Sequence, residues 1–245
     1  MKKPLRVMLL AGSAEAHALA DPLMAEVAAV IAVLSEPERS FPDFPCRTET
    51  GSLTDPAALE GFLDRFQISC ILDAGHGFDA VQSAATATRA AVKGLPYARV
   101  LRPVWPVEPP ARRAKDVAAA AGMIRHGARV FATTGRASLA DFAPFAGACL
   151  LLRQTTDNGR SALPDFVQPV LGSPPFTQEQ EAALFAELRI DTLICRNVGG
   201  LPSRPKLDAA LAMGLETIVI DRPAPPAGIP CFATPDAALA WVRSL

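Results

Sequence analysis

The chain has 245 residues, of which 50% are hydrophobic and 20% charged, with a formal net charge of -1. That length and composition suit one large or two small α/β domains with sizeable cores and exclude a disordered chain. The near-neutral charge argues against a general nucleic-acid or membrane-surface binder, and no apolar run approaches the roughly 20 residues of a membrane span. Val7 to Ala11 is too soon interrupted by Gly12, Ser13 and Glu15 to be a signal-peptide core. The cysteines (Cys46, Cys70, Cys149, Cys195, Cys231) stand singly, as expected of free thiols in a cytoplasmic protein, with no metal-binding spacing.

The first predicted strand, Arg6–Leu10, runs through Ala11-Gly12-Ser13-Ala14-Glu15-Ala16 into a helix over Glu15–Met24. Small residues at such a turn let backbone N–H groups approach a phosphate, and a helix N-terminus favours negative charge. A tight turn capped by Ser13 accounts for the same residues. The second strand, Ala28–Leu34, ends at Ser35-Glu36-Pro37-Glu38-Arg39. In a dinucleotide-binding unit this region meets the adenosine ribose. An acid there suits a free 2′-hydroxyl, and Ser35 with Arg39 suits a 2′-phosphate. Both kinds occur, which leaves NADH and NADPH open.

A strand over Arg47–Thr50 and a helix over Pro56–Phe66 lead to the strand Ser69–Asp73. Asp73-Ala74-Gly75-His76-Gly77-Phe78-Asp79 then precedes a helix over Val81–Val92. Two carboxylates and one of only three histidines thus stand at the C-terminal end of a strand, where open α/β sheets bind ligands. A carboxylate near an imidazole orients it for proton transfer, which makes Asp73 and His76 the candidate catalytic pair. A helix cap and a backbone-bonded histidine are the alternative.

After the strand Tyr97–Arg102, Arg102 to Pro110 holds four prolines and reads as a linker. The expected domains are 1–107 and 108–245, two Rossmann-like doubly wound parallel-sheet domains of about five strands each. A ligand cleft is expected between them. The second half offers strands over Arg129–Thr133, Ala148–Arg153, Phe166–Leu171, Thr192–Arg196 and Thr217–Asp221. Its predicted helices are Val117–His126, Gln178–Leu188, Lys206–Met213 and Pro235–Val242, and the proline-rich Arg222 to Pro230 reads as a rigid surface loop. Thr133-Thr134-Gly135-Arg136 ends a strand with hydroxyls, a glycine and a guanidinium, which suits a phosphate or carboxylate. Arg196-Asn197-Val198-Gly199-Gly200, followed by Arg204 and Lys206, concentrates positive charge beside a glycine pair that permits close backbone approach.

In order, these motifs resemble the precorrin-6A reductase family of cobalamin (vitamin B12) biosynthesis over nearly the whole chain. A Gly-Gly-Thr-x-Glu-like turn reads Ala11 to Glu15, and an Asp-Ala-Thr-His-Pro-Phe-like turn reads Asp73 to Phe78. Arg-Pro-x-Trp matches Arg102 to Trp105, and Thr-Thr-Gly-Arg matches Thr133 to Arg136. A Lys-Asn-Ser-Gly-Gly-like turn reads Arg196 to Gly200, and Lys-Leu-Asp-Ala-Ala matches Lys206 to Ala210. Ala11, Gly75, Gly77 and Val198 depart from the family pattern.

The resemblance implies reduction of a double bond in the precorrin-6A macrocycle to give precorrin-6B. Hydride would come from NADPH, and a proton from Asp73, His76 or water. Gly12, Ser13, Glu15, Ser35, Arg39, Thr133, Thr134, Gly135, Arg136, Asn197, Gly199 and Gly200 are the implied cofactor contacts. His76, Phe78, Arg102, Trp105, Arg196, Arg204 and Lys206 are the implied contacts to a substrate rich in carboxylates. The expected protein is monomeric, metal-free and without nucleic-acid or membrane partners. A cobalt-precorrin-6A reductase using NADH and a non-catalytic dinucleotide or tetrapyrrole binder are the alternatives. A short-chain dehydrogenase mechanism is disfavoured, because the lone Tyr97 is followed four residues later by Leu101 rather than lysine.

Overall fold

A computed structural model describes residues 4–35, 43–155 and 163–245. The first elements are β1 (Arg6–Leu10), α1 (Ala14–Glu26), β2 (Ala29–Leu34), β3 (Arg47–Thr50), α2 (Pro56–Arg65), β4 (Cys70–Asp73), α3 (Ala80–Lys93) and β5 (Tyr97–Val100). Next come β6 (Arg112–Ala114), α4 (Val117–Gly122), β7 (Arg129–Thr133), a 3-10 helix over Arg136–Phe142, β8 (Cys149–Gln154), β9 (Val167–Leu171), α5 (Gln178–Glu187), β10 (Thr192–Arg196), α6 (Pro205–Ala212) and β11 (Glu216–Ile220). The chain closes with β12 (Cys231–Phe232) and α7 (Pro235–Ser244).

Two parallel six-stranded sheets form, in the orders β12-β5-β4-β1-β2-β3 and β6-β11-β10-β7-β8-β9. In the first, the chain winds outward from β1 through β3, returns beside β1 and winds the other way; in the second, β7 to β9 wind outward, β10 and β11 wind the other way from β7, and β6, earliest in the chain, closes that edge beside β11. The reversal falls between β1 and β4 in the first sheet and between β7 and β10 in the second. In such sheets ligands bind outside the carboxyl ends of the strands at this switch point. Gly12 and Asp73 mark it in one unit; Thr133 and Arg196 mark it in the other.

The central strands are continuous apolar runs because both faces of each sheet are covered. In the first unit, Val7, Leu9 and Leu72 pack with Leu19, Leu23, Leu239 and Val242 of α1 and α7. On the opposite face Met8, Leu10 and Ile71 pack with Leu59, Leu63 and Ala90 of α2 and α3. In the second unit, Phe131, Leu151 and Leu193 meet Phe185 of α5 and Leu207 of α6.

The partition differs from the expected 1–107 and 108–245. One compact unit comprises residues 1–103 and 223–245, and the other residues 104–222. The expected linker therefore contributes Trp105 to the second core, while β12 pairs with β5 and α7 packs against the first sheet. The helix expected over Val117–His126 stops at Gly122. No helix among the described residues is long and apolar enough to cross a membrane.

Candidate active site

At the switch point of the first unit, β1 ends in a turn whose Gly12 has φ +131, a region disfavoured for side-chain-bearing residues. A Cβ there would lie 3.4 Å from the His76 backbone nitrogen, so the turns after β1 and β4 abut. The Ser13 hydroxyl accepts from Ala16 N at 3.3 Å as the cap of α1 and donates to Ala74 O at 2.7 Å. It is thus a cap and a tie between the two turns.

Asp73 is 1% exposed. Its carboxylate accepts from Gly75 N at 2.9 Å and from the Tyr97 hydroxyl at 2.6 Å, and it lies 3.2 Å from Nε of Arg99, itself 1% exposed. Parallel pairing puts Asp73 directly beside Arg99. Burial first, and the Asp73 charge second, push the Tyr97 hydroxyl above its ordinary pKa, so it stays a donor. Arg99 Nη2 also donates to the His76 carbonyl at 3.3 Å.

His76 is only partly buried. Its Nδ1 accepts from Phe78 N at 3.3 Å, and the two rings stand 6.0 Å apart. A backbone N–H only donates, so this bond selects the tautomer whose proton is on Nε2. Glu15 and Arg102, expected on cofactor and substrate, bind one another through two hydrogen bonds. Ser35 is exposed at the end of β2. Arg39 lies outside the described residues.

In the second unit Gly135 has φ +80, and a Cβ there would lie 3.9 Å from Nη1 of Arg196. The Arg196 guanidinium at the end of β10 therefore reaches the turn after β7. The hydroxyls of Thr133 and Thr134 are buried with no hydrogen-bond partner among the described residues. Arg136 opens the 3-10 helix beside them. Buried hydroxyls, a glycine without a side chain and the Arg196 guanidinium thus come together at this strand end, a set of groups whose chemistry suits an anion.

Other predicted contacts are taken up internally. Asn197, 3% exposed, donates to the Trp105 carbonyl and accepts from its N–H, both at 2.9 Å. The Trp105 indole donates to Gly200 O at 2.7 Å, and Trp105 is 5% exposed. Asn197 and Trp105 thus anchor one another. Gly199 and Gly200 have φ +72 and +71, which makes the sharp turn after β10. Lys206 donates to Ser203 O at 2.6 Å, with burial pulling its ammonium below the ordinary value. Arg204 pairs with Asp208 at 2.9 Å. Sequence reasoning missed Tyr97 and Arg99; the available signal was two polar side chains two residues apart in an otherwise apolar strand.

A model of the family described as precorrin-6x reductase CbiJ/CobK matches residues 6–243. The chain belongs to this family. It is 36% identical over 242 residues to the precorrin-6A reductase of Mycobacterium tuberculosis (strain CDC 1551 / Oshkosh), spanning 98% of each chain. It is 34% identical over 245 residues to the precorrin-6A reductase of Rhodococcus erythropolis, again over 98% of each. A solved structure described as CobK precorrin-6A reductase superposes with a TM-score of 0.86 at 30% identity, covering 98% of this chain and 96% of that one. Family membership thus extends over both sheets and both switch points.

Proposed function

We propose that the protein is a precorrin-6A reductase of cobalamin biosynthesis, reducing one macrocycle double bond to give precorrin-6B with NADPH as the nucleotide. The observation that carries this reading is similarity to precorrin-6A reductases over 98% of both chains. The residues present fit a nicotinamide dinucleotide. The strand order and the Gly12 turn suit a dinucleotide-binding unit, and the cradle at Thr133–Arg136 suits an anionic group. When bound, the nicotinamide supplies the hydride.

The chain's own residues bind, orient and manage the proton. Gly12 keeps the β1 turn free of a side chain, and Ser35 stands where a ribose 2′ substituent would be met. Thr133, Thr134, Arg136 and Arg196 hold an anion, a nucleotide phosphate or a macrocycle carboxylate. His76, with its proton on Nε2, orients a water toward the carbon to be protonated; direct transfer from His76 requires the Phe78 bond to Nδ1 to break. Asp73 holds this loop from beneath.

The test is absorbance at the reduced-nicotinamide band with purified protein, metal-free precorrin-6A and either nucleotide. Oxidation of NADPH matched by a new macrocycle spectrum is the expected result. Oxidation of NADH alone keeps the reductase and changes the nucleotide, and oxidation only with the cobalt-bearing substrate moves the assignment to the cobalt-precorrin-6A reductase. No oxidation under any of these conditions leaves a dinucleotide or tetrapyrrole binder. In the active enzyme, Arg136→Ala raises the Michaelis constant for nucleotide or substrate; unchanged constants for both refute the anion cradle.

A further inference from the structure

Tyr97 and Arg99 take no part in the chemistry outlined above, yet both are buried polar groups directed at the segment that carries His76. A buried guanidinium is costly unless it is well paired, and an apolar side chain in β5 would serve the core better. What the two residues do is visible in their bonds. Three consecutive residues after β4 are each tied by a side chain from a different part of the first unit. Ala74 O accepts from Ser13 Oγ at 2.7 Å, Gly75 N donates to Asp73 Oδ1 at 2.9 Å, and His76 O accepts from Arg99 Nη2 at 3.3 Å. The Asp73 carboxylate is itself held by Tyr97 Oη at 2.6 Å and by the Arg99 ion pair at 3.2 Å.

We propose that Tyr97 and Arg99 are positioning residues for His76: through Asp73 and the His76 carbonyl they fix the Ala74–His76 backbone, and with it the place where the imidazole stands. The inference rests on the reading of His76 as a group of the reaction site. A purely structural role would alter stability alone, whereas a positioning role moves the imidazole in a protein that still folds.

Two substitutions test this from different sides. Tyr97→Phe keeps the ring and removes only the hydroxyl that binds Asp73. Arg99→Lys keeps a positive charge and removes the guanidinium that binds the His76 carbonyl. The chain has three histidines, so imidazole resonances resolve singly, and His76→Gln identifies the signal of interest. Both variants are expected to shift the His76 signal and leave that of His126 unmoved. Both should also lower kcat for NADPH-dependent reduction of precorrin-6A by about tenfold, with KM changed by less than about twofold.

A His76 signal that superposes on the parent's in either folded variant overturns the proposal. So does a shifted signal with unchanged kcat in an enzyme that His76→Gln impairs. Full turnover in His76→Gln is a separate failure: it removes His76 from the reaction, and the resonance shift then decides the positioning claim by itself. Should Tyr97→Phe not fold, Arg99→Lys carries the same readings.

Discussion

Glu15 and Arg102 stand at 16% and 19% side-chain exposure. Burial alone would raise the Glu15 pKa, but the Arg102 hydrogen bond and charge outweigh it and hold the carboxyl below the ordinary 4.5. A carboxyl depressed in the folded state contributes stability above its unfolded pKa and loses it as pH falls through the folded one. The parent should therefore lose more urea resistance than Glu15→Gln between about pH 6 and about pH 3; parallel losses would mean the pair does nothing. Arg153 and Glu181 form a second pair at 2.8 Å with side chains 8% and 3% exposed. Burial pushes Glu181 up, more than Arg153 pulls it down. Removing one partner leaves a buried charge, so Glu181→Ala should cost about 3–5 kcal/mol, read in a thermal melt as roughly 2–4 °C per kcal/mol. The thiols answer to the same physics. Burial pushes Cys70 to about 12 and Cys195 to about 11. In the native protein a thiol reagent should reach exposed Cys231 first and leave these two silent until unfolding.

The turn after β10 shows what a short element demands. Two successive left-handed residues, Gly199 and Gly200, bring the Gly200 carbonyl to the Trp105 indole. Alanine at position 200 should cost about 1–2 kcal/mol. In a Trp241→Phe background it should also alter Trp105 fluorescence; an unchanged spectrum and urea midpoint would show that the turn tolerates a side chain. Strands were readable where they are central. Arg6–Leu10, Arg129–Thr133 and Thr192–Arg196 form over the predicted residues, because a run buried on both faces has no polar interruption. The edge strands β3 and β9 were also readable, over Arg47–Thr50 and within Phe166–Leu171, but the edge strands β6 and β12 were not. β6 is Arg-Arg-Ala with both arginines exposed, and β12 is two residues behind a proline-rich loop. Neither has length or periodicity enough to register. For the site, strand ends and their glycines were legible as positions. What a side chain does there was not: Asn197, Trp105, Glu15 and Arg102 look like ligand chemistry in sequence but meet partners brought near only by the fold.

At the scale of the whole molecule, the departure from a simple two-part chain is the return of residues 223–245 to the first sheet. Ala238, Leu239 and Val242 are 0%, 5% and 2% exposed in its core, and β12 covers the edge of β5. Truncation after Arg222 should expose that edge and that face. Hydrogen exchange should then show lost protection in the strands β1 to β5 and retained protection in β6 to β11, which belong to the unit that is contiguous in sequence. Equal protection in both would mean that β12 and α7 are dispensable. There is a consequence for synthesis. The second unit is finished while the first still lacks its last strand and helix, so β5 waits with an open edge. At roughly 5–20 residues per second that wait lasts many seconds. Of the two sheets, the one carrying His76 is the one a nascent chain completes last, and until Cys231 emerges its β5 edge is an unpaired strand of the kind that templates aggregation.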